Sequence, residues 1–252
     1  MLGLPTAARA CLFDLDGVLT KTATVHAAAW KEMFDEFLRS WSEEQGVPFV
    51  PFDTGADYDR YVDGRPRQDG TRSFLASRGI ELPEGSADDP PGTATVQGLS
   101  NRKQDIVLER LAAGKIEVYD GSVRYVQAVR DAGLATAVVS SSANTQQVLA
   151  AAELTDLFQA RVDGLVAQER GLPGKPAPDM FLAGAEALGV APGEAVVFED
   201  ALAGVEAGHA GGFALVVGVD RVGQADELRR RGADVVVQDL SELLDDDSPA
   251  GD

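Results

Sequence analysis

The sequence predicts an α/β fold, a parallel sheet with helices on its faces and a helical insertion in the chain, and three observations carry that prediction. Short apolar runs alternate with helix-length segments through the second half of the chain, and alternation on this scale gives a parallel sheet with right-handed crossovers. Three of the runs end abruptly in polar groups: Ala10-Cys11-Leu12-Phe13 in Asp14-Leu15-Asp16-Gly17, Ala135-Thr136-Ala137-Val138-Val139 in Ser140-Ser141-Ser142, and Ala195-Val196-Val197-Phe198 in Glu199-Asp200. Between the first run and the others, positions 21–115 carry helical periodicity and polar, proline-bearing connections.

The first run reads as a buried strand that delivers two carboxylates to its C-terminal edge, where Gly17 turns the chain away. In an open parallel sheet that edge is where ligands bind, because the loops leaving the strand ends form the crevice. Asp-x-Asp at such a place can supply a nucleophile or metal ligand together with a second carboxylate for the same site. An Asp-Gly turn with capping carboxylates would leave the same trace.

Positions 22–40 then read as a helix, with Val25, Ala29, Trp30, Met33, Phe34 and Phe37 at spacings of three and four and His26 in the first turn. Positions 42–61 turn polar around Pro48 and Pro51, a connection between helices. Arg65 and Arg67 follow in a loop; arginine forks suit phosphate oxygens, although two solvated arginines fit equally well. A helix over 69–78 buries Phe74 and Leu75, and the Pro-, Gly- and Asp-rich stretch 84–95 is a surface loop. Another helix opens at Asn101-Arg102-Lys103 with Ile106, Val107, Leu108 and Leu111 on its buried face.

Val118-Tyr119-Asp120-Gly121 marks the return to the sheet. Helices are expected over 122–132, 144–152, 179–188 and 201–210, and strands over 135–139, 160–162, 195–198, 214–217 and 235–237. Gly174-Lys175-Pro176 sets a lysine in a rigid loop. The core is therefore discontinuous, 1–20 with 116–252, and a helical cap of 21–115 is inserted in it. The acidic tail over 245–252 is expected to be disordered.

The formal net charge of −19 disfavours nucleic acid and anionic membrane surfaces as partners. An anionic substrate would be held against that field only by local lysine, arginine and metal charge. Cys11 is the one cysteine, so no internal disulfide can form, and it reads as a small core residue in a reduced compartment. With no run of membrane-spanning length and no signal segment, a cytoplasmic location is expected.

Taken in order, Asp14-Leu15-Asp16, Ser140, Lys175 and Glu199-Asp200 resemble the four motifs of the haloacid dehalogenase (HAD) superfamily of phosphotransferases, and within it the β-phosphoglucomutase-like group, over residues 11–240. The resemblance implies a Rossmann-like parallel-sheet core with an inserted helical cap, Mg²⁺ as cofactor, a small sugar phosphate as partner, and a monomer or at most a dimer. It implies that Asp14 is the nucleophile and forms an aspartyl phosphate. Asp16 would be the general acid and base, while Ser140 and Lys175 would stabilise the transferring phosphoryl group. Asp14, Glu199, Asp200 and the backbone carbonyl of Asp16 would hold the metal.

By the same resemblance His26 stands beside the acid/base aspartate and helps couple domain closure to catalysis. Trp30, Gly64, Arg67 and Lys103 are substrate-side residues of the cap, and Ser142 and Asn144 hold the substrate's second phosphate. Lys103 would fit as an ordinary helix-surface cation too. Asp63 and Ala143 depart from the group's pattern, each standing where a lysine is expected, which weakens attraction for a distal phosphate. Glu199, where many phosphatases of the superfamily carry glycine, points toward the mutases.

The expected function is therefore Mg²⁺-dependent phosphoryl transfer on a hexose phosphate, β-glucose 1-phosphate to glucose 6-phosphate. The alternative is a sugar-phosphate phosphatase in which water accepts the phosphoryl group. From a different class, a non-catalytic binding or regulatory module would keep the fold without turnover, but every residue the chemistry requires is present.

Overall fold

The computed structural model describes residues 2–244; the acidic tail discussed above lies outside the described residues. The chain forms two compact units, Met1–Thr20 with Glu117–Asp252, and Lys21–Ile116. In chain order the elements are β1 (Ala10–Phe13), α1 (Ala23–Gln45), α2 (Arg67–Ser77), α3 (Val96–Ala113), α4 (Asp120–Asp131), β2 (Ala135–Val139), α5 (Thr145–Ala151) and β3 (Ala160–Val162). They continue with α6 (Gly164–Arg170), α7 (Asp179–Ala187), β4 (Ala195–Glu199), α8 (Leu202–Ala210), β5 (Leu215–Val219), α9 (Ala225–Arg230) and β6 (Val235–Val237). Among the described residues no helix is long and apolar enough to cross a membrane.

The discontinuous unit is an α/β domain whose six strands run parallel in the order β3-β2-β1-β4-β5-β6. Successive side chains on a strand point to opposite faces, and β1 is wholly buried on both. On one face Phe13 stacks on Phe198 at 4.5 Å and meets Tyr125 of α4 edge-on at 6.4 Å. On the other, Leu12, Val139 and Val197 join Met180 and Phe181 of α7 and Ala207 of α8 in one apolar cluster. Strand order reverses at β1, between β2 and β4, and that switch point is where an open α/β sheet opens a crevice beyond the carboxyl ends of its strands.

The second unit is helical, with α1 packed along α3 and α2 against both α3 and a π-turn at Tyr58–Val62. Phe34 is its centre, with ring centroids 4.1 Å from Phe74, 5.2 Å from Trp30 and 5.3 Å from Phe52. The helix expected to stop near residue 40 runs on to Gln45, because Ser42 is still buried and Gly46, with φ 65°, is the first residue to leave the helix. Helix α3 starts at Val96 rather than Asn101, since Thr95 caps it by accepting from Gly98 N at 2.9 Å. Asn101 instead reaches out of the helix to the carbonyls of Ala87 and Asp89.

Candidate active site

Because Phe13 pairs with both Val138 and Phe198, the three central strands end together, and the polar residues that follow them converge. Asp14 follows β1, held to β4 by its N–H, which donates to the Phe198 carbonyl at 2.9 Å. Glu199 ends β4 and Asp200 follows it. Ser140 follows β2, its N–H donating to the Val162 carbonyl of β3.

Lys175 enters from the loop before α7 with its side chain fully buried. Its ammonium donates to Asp14 Oδ1 at 2.6 Å, Glu199 Oε2 at 2.7 Å and the Val139 carbonyl at 3.2 Å. Glu199 Oε1 accepts from Ala201 N at 3.1 Å, so both of its oxygens are engaged. Asp14, Glu199 and Asp200 are all buried and bring one carboxylate oxygen each within 4.8 Å of the others.

The electrostatics follow from that crowding. Burial, then the charge of Glu199, push the Asp14 carboxyl well above the ordinary carboxylate range, with Asp16 adding to the push and Lys175 opposing it. Burial also works against the Lys175 ammonium, but the charges of Asp14 and Glu199 outweigh it and hold the lysine protonated, above its ordinary range. Three buried carboxylates facing one ammonium leave a deficit of positive charge. Hard oxygen ligands in that arrangement suit a divalent cation, and there is no thiolate or imidazole in the cluster to favour a softer metal.

Two glycines make the crowding possible. A Cβ on Gly17, whose φ is +91°, would lie 1.8 Å from Asp200 Oδ2, and a Cβ on Gly204 in the first turn of α8 would lie 2.0 Å from the Glu199 carboxyl carbon. Gly17→Ala is therefore expected to displace the Asp200 carboxylate and to strain the backbone. Divalent-metal affinity, followed by calorimetric titration, should fall roughly 10- to 100-fold, and the melting temperature should fall with it.

The loop after β2 is a run of local turns in which Ser140 Oγ accepts from Ser142 N at 3.1 Å and Ser142 Oγ accepts from Asn144 N at 3.2 Å. Asn144 leads directly into α5. Asp16 sits in the turn closed by Gly17 N donating to the Thr20 carbonyl at 2.7 Å, and Asp16 and Thr20 form a bridge. Ser140, Ser142, Asn144 and Asp16 thus all lie in the loops that leave the carboxyl ends of the central strands.

In the helical unit, His26 and Lys103 meet across α1 and α3, Nδ1 to Nζ, at 2.8 Å, and the ammonium lies 4.9 Å over the Trp30 ring. Lys103 is 5% exposed, which removes the alternative of a solvated helix-surface cation. Trp30 is 3% exposed and belongs to the hydrophobic cluster around Phe34. Arg67 is not in a loop but is the first residue of α2, where its guanidinium donates to Gln104 Oε1. Burial lowers the Arg67 pKa, with Asp105 opposing the shift. Gly64, with φ +68°, makes the turn that precedes it, and Asp63 ends the π-turn. The sequence reading missed Gly204 and the loop after β5, whose Gln224 side chain donates to the Asp200 carbonyl at 3.2 Å. The signal for that loop was a polar Asp-Arg-x-Gly-Gln turn following an apolar run.

Known proteins resemble this chain over nearly its whole length. The β-phosphoglucomutases of Mycobacterium tuberculosis (strain CDC 1551 / Oshkosh) and Mycobacterium bovis are each 59% identical over 247 residues, 97% of this chain and 94% of theirs. That of Bacillus subtilis is 30% identical over 235 residues, 93% of this chain and 91% of its own. The crystal structure of β-phosphoglucomutase from Clostridium difficile shares the fold, with a TM-score of 0.73 at 23% identity over 94% of this chain and 93% of that one. The haloacid dehalogenase-like hydrolase family matches residues 8–212. With a family match over most of its length and the buried carboxylate cluster at the ends of its central strands, the chain is an enzyme that belongs to the haloacid dehalogenase-like hydrolase family.

Proposed function

We propose that the protein is a Mg²⁺-dependent β-phosphoglucomutase that moves a phosphoryl group between the two ends of a glucose phosphate through Asp14. The observation that carries this reading is the buried Asp14–Lys175–Glu199 arrangement at the edge of β1, in a chain 59% identical over nearly its whole length to β-phosphoglucomutases. Mg²⁺ held by Asp14, Glu199, Asp200 and the Asp16 carbonyl would supply the positive charge the cluster lacks, which allows an anionic carboxylate to approach an anionic phosphate.

Each half-reaction is a displacement at phosphorus. An Asp14 oxygen forms the new P–O bond, the bond to the sugar oxygen breaks, and Asp16 gives that oxygen its proton. In the return step a different sugar hydroxyl attacks the aspartyl phosphate, Asp16 takes its proton, and Asp14 is released as a carboxylate. Lys175 neutralises Asp14 before attack and, with Ser140, donates to phosphoryl oxygens as their charge builds. Ser142 and Asn144, with Arg67, Lys103, His26, Trp30 and Gly64 of the helical unit, are assigned to substrate recognition, the role of a cap domain.

Asp63 and Ala143 favour a second reading, hydrolysis of a sugar phosphate with water as the acceptor. A coupled assay with Mg²⁺, β-glucose 1-phosphate and a trace of the 1,6-bisphosphate separates the two. Glucose 6-phosphate formed with little free phosphate is the expected result; stoichiometric phosphate release without isomerisation would replace the mutase by a phosphatase.

A further inference from the structure

The loop after β5, residues 220–224, touches both of the carboxylate-bearing loops, and no role in the proposed chemistry uses it. Its geometry is built from within. Asp220 Oδ1 accepts from Gly223 N at 2.7 Å and Gln224 N at 2.8 Å, folding the loop so that Arg221 and Gln224 both turn back toward the sheet edge. Gln224 reaches the Asp200 carbonyl. Arg221 does more: its Nε donates to the Gly17 carbonyl at 2.8 Å and its Nη2 to the Val18 carbonyl at 3.3 Å, the two residues that follow Asp16.

The remaining Arg221 donors are fixed as well. Nη2 also meets Ser122 Oγ at 3.4 Å, Nη1 donates to the Gln238 carbonyl at 2.6 Å, and Nη1 pairs with Asp239 Oδ2 at 3.5 Å. The guanidinium plane lies 3.5 Å over the Tyr119 ring, and Tyr119 N donates to the Leu19 carbonyl at 2.9 Å. The side chain is 14% exposed. A planar fork with five donors, stacked on an aromatic ring, is spent almost wholly on holding the turn after Asp16 against the segment that returns at 117–122.

We propose that Arg221 is a positioning residue for Asp16: it sets the two carbonyls that follow the acid/base and so fixes where the Asp16 carboxylate stands relative to Asp14. The same contact holds Gly17 at the close approach to Asp200 that its missing Cβ permits. The inference rests on the phosphotransfer reading above, because it gives Asp16 a reacting proton to carry. Lysine cannot replace the arginine here, since a single ammonium has neither the second arm for Val18 nor a plane to stack on Tyr119.

The test compares wild type, Arg221→Ala and Arg221→Lys in the coupled assay, with melting temperatures measured alongside. Displacing an acid/base by about 1 Å can cost roughly 100-fold in rate, so kcat is expected to fall about 10- to 100-fold in Arg221→Ala while KM stays close to the wild-type value. Arg221→Lys should recover little of it, and guanidinium ion at millimolar concentration should restore part of kcat to Arg221→Ala and none to wild type. A folded Arg221→Ala with wild-type kcat overturns the proposal. So does a loss of kcat that guanidinium does not touch and that tracks the loss of folded protein. Should Arg221→Ala fail to fold, Arg221→Lys decides: lowered kcat at unchanged KM supports the role, and wild-type kcat ends it. If wild type itself shows no turnover, the reaction fails, and the inference that rests on it falls for that separate reason.

Discussion

Asp14→Asn is expected to abolish turnover, by about 10⁴-fold or more, and at the same time to raise the melting temperature of the metal-free protein. The first effect follows from the loss of the nucleophile: an amide oxygen of the same shape cannot form the aspartyl phosphate. The second follows from the charge count. In the wild type the folded state raises the Asp14 pKa, chiefly through burial and the neighbouring Glu199, so at neutral pH ionised Asp14 works against folding. Asparagine removes that charge, its oxygen can still accept from the Lys175 ammonium, and the Lys175–Glu199 contact at 2.7 Å remains as a neutral pair. A gain of a few degrees by differential scanning calorimetry, with no detectable activity, is the expected combination. Lost activity together with lost stability would mean that Asp14 is a structural anchor rather than a strained, functional carboxylate.

Lys175→Met should have the opposite effect on stability. The methionine fills much of the lysine's volume beside Phe181, whose ring centroid lies 4.8 Å from the ammonium, but it leaves Asp14 and Glu199 buried with no cation. Removing one partner of a buried ionic cluster typically costs about 3–5 kcal/mol, which for a chain of this size is roughly 10 °C of melting temperature. Two further results identify the cause. Adding Glu199→Gln to Lys175→Met should recover part of the stability, a coupling expected only between groups in direct contact. Mg²⁺ should raise the melting temperature of Lys175→Met by more than it raises that of wild type, since the ion then supplies the missing charge. Activity should be lost in both variants, because Lys175 also steadies the transferring phosphoryl group.

Much of this arrangement was legible in the sequence. The strands that matter, at 10–13, 135–139 and 195–199, are short apolar runs that stop at a polar residue, and in a parallel sheet such a stop coincides with the ligand-binding edge. Asp14, Ser140, Glu199 and Asp200 could thus be read as lying at one edge, and the resemblance to the haloacid dehalogenase motifs adds Lys175, although the five come from four separate stretches of chain. The reading was weakest where structure depends on a few local contacts. Helix α6 has only seven residues, too few for a periodic pattern, and is fixed by the Asp163 side chain capping Leu165 N and Val166 N. Helix α9 buries a single side chain, Leu228, beneath a charged surface.

Arg67 shows a different limit. Its place at the start of α2 is set by Pro66, whose fixed φ suits the approach to a helix, and its partner Gln104 lies on another helix. For Lys103 the sequence leaves two readings open, a substrate-side residue by resemblance and a solvated helix-surface cation, because lysine on a helix is ordinarily exposed. Its burial against His26 and Trp30 is a tertiary fact that helical spacing does not encode. Arg221 left the faintest trace, since the acceptors that tie it to the turn after Asp16 are backbone carbonyls around 200 positions away, and any residue type supplies a carbonyl.

The central claim, that Asp14 carries the phosphoryl group between two positions of one sugar, is tested most directly by trapping the intermediate. Enzyme turning over ³²P-labelled β-glucose 1,6-bisphosphate would be quenched in acid and digested at acid pH, where an acyl phosphate survives, and the labelled peptides identified by mass spectrometry, with glucose 6-phosphate measured in the same samples. Label on the peptide that contains Asp14, appearing and decaying at the rate at which glucose 6-phosphate forms, is the expected result. Turnover without any covalent label, or label on a different residue, would contradict it.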